Sequence, residues 1–147
     1  MNRITREWCD KNIELDPHED YDFGSDQCYI DYPCVFPTVS FYLPCTDGLI
    51  ELADEIRKEK GYPPLSESEN GWYNFYVGLN GFTKTHTDRC ILFVVNDEGA
   101  EDDYIDYQID LDETEQCNIY NRLNLLCKEL YGKTCEDLLD EAKAYMD

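Results

Sequence analysis

The sequence predicts an α+β fold: an antiparallel sheet of about four strands, in the element order β-α-β-β-β-α-α, with helices packed on one face. Two observations lead to this prediction. Residues 104–111 alternate between apolar and polar side chains, which is the period of a half-buried strand. Apolar residues between 112 and 131 instead recur at three- and four-residue intervals, which is the period of an amphipathic helix.

The 147 residues are predicted to form a single domain, 1–147, with an acidic, irregular N-terminal segment at 1–33 and an α+β core at 34–147. Hydrophobic residues make up 42% and aromatic residues 14%, which argues against disorder despite a formal net charge of -21. No apolar run approaches the roughly 20 residues of a membrane span, and no signal peptide is visible. The expected location is therefore cytoplasmic.

The N-terminal third carries the least regular patterns. Residues 3–13 fit a short helix that stops before Pro17, and residues 18–31 fit an ordered loop or an irregular edge ribbon. Residues 34–43 form the first clear strand. Because Pro37 has no backbone N–H, this strand is predicted to lie at a sheet edge or to begin after the proline.

A helix is predicted over residues 48–60. Thr46 or Asp47 can supply the side-chain oxygen that caps its first turn, and Gly61 can supply the left-handed residue that ends it. Its last turn is basic, the sign that the negative end of a helix dipole favours: Arg57, Lys58 and Lys60.

Three strands follow. Residues 72–79 alternate between two faces, and residues 89–95 are the most apolar segment and hence an interior strand. Residues 104–111 form the third. Its apolar face comprises Ile105, Tyr107, Ile109 and Leu111, and its polar face comprises Tyr104, Asp106, Gln108 and Asp110.

Two helices end the chain. Asp112 is predicted to cap the first, with Glu115 completing an acidic capping box and Gly132 ending the helix. Thr134 with Asp137 starts the second. The predicted buried residues are Ile119, Leu123, Leu126 and Leu130 on the first helix, and Leu138, Leu139, Ala142 and Tyr145 on the second.

Acidic residues are segregated from basic ones along the chain. The interval from Lys11 to Arg57 contains eleven Asp or Glu and no internal Lys or Arg, and the interval from Cys90 to Asn121 contains ten and none. A solvated surface normally mixes the two signs along its helices. The segregation indicates either a functional surface or a solubility device. Direct binding to nucleic acid or to an anionic membrane is excluded, since both require Lys and Arg.

Motifs for catalysis or metal binding are missing from the sequence. His18 and His86 have no partner at a spacing that would pair a nucleophile with a base, and no phosphate-binding or dinucleotide-binding glycine motif occurs. The eight cysteines include no Cys-x-x-Cys pair, so neither a zinc site nor another metal is predicted, and they are interpreted as free thiols. No cofactor and no enzymatic activity are expected.

Binding to a basic protein is the function that remains. Alternate residues of a strand repeat about every 6.6–6.8 Å, close to the spacing of phosphates along a nucleic-acid strand, so fixed carboxylates can imitate a phosphate run. Tyrosines interleaved with the acids can supply anchors. The predicted partner-binding residues are Asp97, Glu98, Glu101, Asp102, Asp103, Tyr104, Asp106, Asp110, Asp112, Glu113 and Glu115, together with Asp20, Tyr21, Asp22 and Tyr29.

The leading hypothesis is an inhibitor that mimics DNA or RNA phosphates and occludes a nuclease or another nucleic-acid-binding protein. In overall character, although in no individual motif, the chain resembles the DNA-mimic inhibitors that phages and mobile elements use against restriction and CRISPR nucleases. That resemblance implies an anti-defence role. One alternative is an immunity protein or antitoxin that neutralises a cognate basic toxin. Others are an accessory subunit of a larger assembly and an acidic housekeeping domain.

Overall fold

A five-stranded antiparallel sheet and four helices make up the fold in a computed structural model, which describes residues 3–19, 21–28, 34–62, 72–80, 90–97, 105–109 and 111–146. The helices are α1 (Arg6–Asn12), α2 (Asp47–Glu59), α3 (Glu113–Tyr131) and α4 (Cys135–Met146). The strands are β1 (Asp22–Cys28), β2 (Cys34–Leu43), β3 (Trp72–Asn80), β4 (Cys90–Asp97) and β5 (Ile105–Ile109).

The strands pair in chain order, β1-β2-β3-β4-β5, and every pairing is antiparallel. One row of the register runs Phe41–Val77–Leu92–Ile109 across four strands. All four of these side chains are buried. Because strand residues alternate between faces, this row identifies the inner face of the sheet.

All four helices contribute to one hydrophobic core on the inner face. The sheet contributes alternate residues of β2, β3 and β4, and each helix contributes its apolar stripe. The buried helical and N-terminal residues include Ile4, Cys9, Ile13, Leu49, Leu52, Ala53, Ile119, Leu123, Cys127, Cys135, Leu138 and Ala142. The predicted α+β class with an antiparallel sheet is thus confirmed.

The predicted helix ends are also found. Thr46 caps α2 by accepting a hydrogen bond from the Leu49 N–H, and Gly61 after the helix has a φ of 86°. Asp112 and Glu115 form the capping box of α3, which ends at Gly132 with a φ of 68°. These positive φ values are the left-handed conformation that glycine adopts without strain.

The strand count and element order differ from the prediction. The described chain has five strands in the order α-β-β-α-β-β-β-α-α, so four strands and β-α-β-β-β-α-α are not confirmed. The difference lies in residues 1–33, where the short helix predicted within residues 3–13 is found and residues 18–31, predicted to be a loop or an irregular edge ribbon, include a regular edge strand. Their described part forms α1 and β1, and Ile4, Cys9 and Ile13 lie in the core.

β2 is an interior strand and not the edge strand that Pro37 suggested. Its first half pairs with β1, where Pro37 faces Ser25, while pairing with β3 begins at Thr38, the residue after the proline. The residue without an N–H therefore lies outside the β2–β3 ladder. The edge alternative is wrong because β1 is an additional partner, and β2 itself begins at Cys34, although its pairing with β3 begins after the proline, as the other alternative expected.

Three side chains depart from their expected burial. Leu130 is 38% exposed and Tyr145 is 77% exposed, although both were predicted to be buried. Arg57 is only 1% exposed, and its guanidinium carbon lies 5.4 Å from the centre of the Tyr62 ring. Among the described helices, none has both the length and the apolarity to cross a membrane.

Candidate partner-binding surface

The face of the sheet opposite the helices, here called the outer face, carries polar and aromatic residues. Ser40, Tyr42, Asn74 and Tyr76 alternate with the buried residues of β2 and β3, and all four remain partly exposed. Their side chains therefore face away from the core. The inner face is covered by helices, and the outer face is polar and aromatic along β2 and β3, whereas its positions on β4 belong to Ile91, Phe93, Val95 and Asp97.

We call the interval from Lys11 to Arg57 the first acidic block and the interval from Cys90 to Asn121 the second. The strand register assigns residues of both blocks to the outer face. Asp22 on β1 faces Ser40, and Asp106 on β5 faces Val95, which in turn faces Asn74. Asp97 occupies the next outer-face position of β4, opposite Trp72. The two edge strands are separated by four strand spacings, or about 19 Å. Positions far apart in the sequence thus share one side of the sheet.

Several predicted partner-binding residues lie outside the described part of the chain. They belong to the segments that adjoin β1, β4 and β5. They are Asp20, Tyr29, Glu98, Glu101, Asp102, Asp103, Tyr104 and Asp110, and His86 lies outside as well.

At the start of α3, the three acids that were predicted to bind a partner differ in their exposure. Asp112 and Glu113 are exposed, whereas Glu115 is only 6% exposed. The Glu115 carboxylate accepts hydrogen bonds from the Ile4 N–H at 3.0 Å and from the Asp112 N–H at 3.2 Å. Glu115 therefore joins the N-terminal segment to α3 and does not belong to the predicted binding surface. A buried residue of the capping box cannot also face a partner.

Tyr21 also has a packing role. Its ring centre lies 5.0 Å from that of Tyr131 and 6.1 Å from that of Phe41, an inner-face residue, and it also contacts Phe23. The predicted aromatic anchor is thus half-buried against the edge of the core. The partly exposed tyrosines on the outer face of β2 and β3 are Tyr42 and Tyr76, which the sequence argument did not select.

A cavity of about 320 Å³ opens beside Asp22, the first residue of β1. Pairing of β1 with β2 ends at Asp22–Ser40, whereas pairing of β2 with β3 continues to Leu43–Phe75, so β2 extends beyond its neighbour. We call this cavity the edge notch. It is lined by Glu19, Asp22, Ser40, Phe41, Tyr42, Asn74 and Tyr76.

Two aromatic rings and two carboxylates define the chemistry of the edge notch. The Tyr42 and Tyr76 rings meet edge to face with centres 5.7 Å apart, and Glu19 and Asp22 are exposed beside them. Burial raises the pKa of Tyr42, and charge interactions raise it further, first with Cys45 and Tyr76 and then with Glu19 and Asp16. The phenol therefore stays protonated at neutral pH.

Few of the described carboxylates are neutralised by a basic neighbour. Ion pairs between described residues join Arg3 to Glu55 and Glu59, and Lys133 to Glu141. Within the same part of the chain, neither Glu19 nor Asp22 has a lysine or arginine within ion-pair distance. The edge notch consequently keeps its negative charge available for a partner.

A second cavity, of about 550 Å³, lies between the N-terminal segment, α2, β5 and the start of α3. Arg3, Lys60, Glu59 and Asp112 line it together with apolar residues. Since it mixes both signs of charge and lies against Glu115, which has a structural role, it is the weaker candidate for a cationic partner.

The buried thiols of the described chain differ in the direction of their pKa shifts. Burial raises the pKa of Cys9 to about 12, so this thiol is protonated at neutral pH. Cys127 and Cys135 share a hydrogen bond, which raises the pKa of Cys135 and lowers that of Cys127. Among the residues that the structure describes, no three His, Cys, Asp or Glu side chains are grouped so that they could hold a metal ion.

Comparison with protein-family models, with curated proteins and with solved structures yields no match for the chain.

Proposed function

We propose that the protein binds a basic protein through the outer face of its sheet and occupies the surface with which that partner holds nucleic acid. The proposed role is that of an inhibitor rather than an enzyme, acting in the cytoplasm. The acidic composition favours one kind of inhibitor, an anti-defence protein of a phage or mobile element that acts against CRISPR or restriction nucleases.

One observation supports the proposal above the others. Asp22 comes from the first acidic block, Asp97 and Asp106 come from the second, and the strand register assigns all three positions to the outer face. Acidic positions held on one side of a hydrogen-bonded sheet would meet a cationic groove with little reorganisation. Their charge would also accelerate association by steering the two proteins together.

An immunity protein for a basic toxin is the second candidate, and the same charge favours it. The two functions differ in what happens to the nucleic acid. A mimic and DNA exclude each other from the partner, whereas an immunity protein that blocks its toxin at another surface forms a complex that still retains DNA.

A displacement experiment tests the proposal. DNA-binding proteins from a bacterial lysate are loaded on immobilised double-stranded DNA, and the column is washed with the protein at about 0.1 M salt, where the Debye length is about 10 Å. We expect one or a few proteins to leave the DNA in complex with it. At about 1 M salt this complex should not form, because screening then shortens the Debye length to about 3 Å.

Failure to release any DNA-bound protein at low salt would contradict the mimicry. Capture of a partner that remains bound to DNA would favour the immunity role. Bovine serum albumin, another acidic protein, serves as the control for a non-specific effect of charge.

A further inference from the structure

We propose that the edge notch binds the guanidinium group of one arginine side chain presented by the basic partner. The identity of the partner rests on the proposed function. That the bound group is a guanidinium is inferred from the notch itself: from its rings, its carboxylates, its size and its position on the sheet.

The aromatic pair provides a platform for a planar cation. Tyr42 and Tyr76 meet edge to face with ring centres 5.7 Å apart, and both side chains are partly exposed where they line the edge notch. A guanidinium above a tyrosine face, within about 6 Å of its centre, is attracted by the quadrupole of the ring. The chain already contains such a contact, because Arg57 lies 5.4 Å from the ring centre of Tyr62.

The polar lining provides acceptors for the donors of that cation. Glu19 and Asp22 contribute carboxylates, Ser40 a hydroxyl oxygen and Asn74 an amide oxygen. Guanidinium has five N–H donors in a fixed plane and pairs with carboxylates through two parallel hydrogen bonds. Lysine ammonium is a point charge that neither stacks on a ring nor spans two acceptors in this way. The mixture of rings and acceptors therefore favours arginine.

The notch is large enough to admit an arginine side chain and is placed where a partner could insert one. Its volume of about 320 Å³ lies at the lower end of the range for small-molecule sites, about 300–1,000 Å³. It opens beside β1, where a partner that covers the outer face would bring its side chains. The carboxylates exclude phosphate and other anions.

The test uses capped single amino acids, so it does not depend on knowing the partner. N-acetylarginine methylamide, the corresponding lysine compound and the neutral citrulline isostere are titrated into ¹⁵N-labelled protein. We expect the arginine compound to shift the amide signals of Glu19, Asp22, Tyr42 and Tyr76 with a dissociation constant on the order of 1 mM. Citrulline should shift none of them, and lysine should bind more weakly.

Two variant pairs localise the binding. Replacing Glu19 and Asp22 together by Gln and Asn keeps the side-chain shapes and should weaken arginine binding about fivefold. The matched control, Glu129→Gln with Asp140→Asn, removes two exposed carboxylates from α3 and α4 and should leave binding unchanged. Tyr76→Leu, which removes the ring, should abolish the preference for arginine over lysine.

The experiments can reject the arginine site and the proposed function independently of each other. Equal binding of arginine and citrulline, or binding unaffected by the Glu19 and Asp22 change, would overturn the arginine site even if DNA-bound proteins were still displaced. Arginine-specific binding with no displacement from DNA would support the site and contradict the nucleic-acid mimicry.

Discussion

At the scale of single residues, Glu115 shows how one carboxylate connects distant parts of the chain. One of its oxygens accepts the N–H of Ile4 and the other accepts the N–H of Asp112, across a separation of 111 residues in the first case. Asn118 and Arg122 on the same helix donate to the backbone oxygens of Ile4 and Ile13. These contacts hold the N-terminal segment on α3.

Glu115→Ala should therefore be strongly destabilising. It leaves the buried N–H of Ile4 without its acceptor and opens the capping box, at a cost of about 2–4 kcal/mol in the free energy of unfolding. Urea denaturation followed by circular dichroism measures the change. The neighbouring exposed residue provides the control: Glu113→Ala should cost about 0.5 kcal/mol or less. Equal losses for both variants would contradict the role of Glu115.

A second residue-scale prediction concerns the start of α4. The Asp137 carboxylate accepts the Thr134 N–H at 2.9 Å, and this backbone hydrogen bond, followed by the Thr134 side-chain bond, lowers the pKa of Asp137 below 3.8. The folded-state pKa lies below the unfolded value. The stabilisation is therefore present above the unfolded pKa and disappears as the pH falls through the folded pKa.

Asp137→Asn should consequently lower stability at pH 7, and its difference from the wild type should shrink below about pH 4. Urea midpoints of the two proteins at pH 7 and near pH 3 give this difference, and comparing the proteins at each pH cancels the titration of the other carboxylates. A difference that grew on acidification would show that the ionised carboxylate does not stabilise the helix.

At the scale of elements, the junction of α1 with α2 depends on Asn12. Its side-chain oxygen accepts the Gly48 N–H, its amide donates to the Trp8 carbonyl, and its backbone carbonyl accepts the Thr46 hydroxyl. A Cβ at position 48 would overlap the Asn12 side chain. The glycine in the first turn of α2 is thus required by the close approach of α1.

Gly48→Ala should destabilise the protein by about 1–3 kcal/mol through overpacking, although the same change in a free helix is favourable by about 0.5–1 kcal/mol. In an Asn12→Ala background the overlap is relieved, so the added Gly48→Ala change should be neutral or stabilising. Thermal unfolding of the four proteins of this cycle measures the coupling. If the alanine cost the same with and without Asn12, the overlap would not be its cause.

The elements also show which parts of the fold the sequence could predict. β2 through α4 have a clean period of two or of 3.6 and explicit caps, such as Thr46 and Asp112, so they were placed closely. β1 was not assigned as a regular strand because Gly24 and Ser25 interrupt its apolar pattern. It exists through its pairing with β2, which is a tertiary contact.

Tertiary contacts also decide the burial of single residues, which the local sequence pattern does not contain. Arg57 is buried, which the dipole argument for the basic last turn of α2 did not address, and Tyr145 is exposed although its spacing suggested the core. For the candidate site, the strand alternation correctly separated Asp106 from Ile109 but gave no means of selecting Tyr42 and Tyr76. They line the edge notch because β2 extends past the first residue of β1, a tertiary feature that no local pattern contains.

At the scale of the whole molecule, sheet topology converts a charge pattern along the chain into a pattern in space. The meander order places β1 and β5 at opposite edges, and the outer face between them carries residues of both acidic blocks. With 33 acidic and 12 basic residues, the folded chain bears a large excess of negative charge. Such a charge opposes compaction of the chain through self-repulsion. This cost in stability favours a functional role for the charge over a chance excess of acids.

The account is tested most directly by reversing charge on one face of the molecule at a time. Asp22→Lys with Asp106→Lys changes the outer face, whereas Glu129→Lys with Asp140→Lys makes the same change of net charge on the exposed sides of α3 and α4. Circular dichroism confirms that each variant is folded. Release of DNA-bound proteins at about 0.1 M salt is then measured for both.

We predict that the outer-face variant loses the ability to release DNA-bound proteins and that the helix variant keeps it. Equal activity of the two variants would show that the outer face is not the binding surface, and would contradict the account.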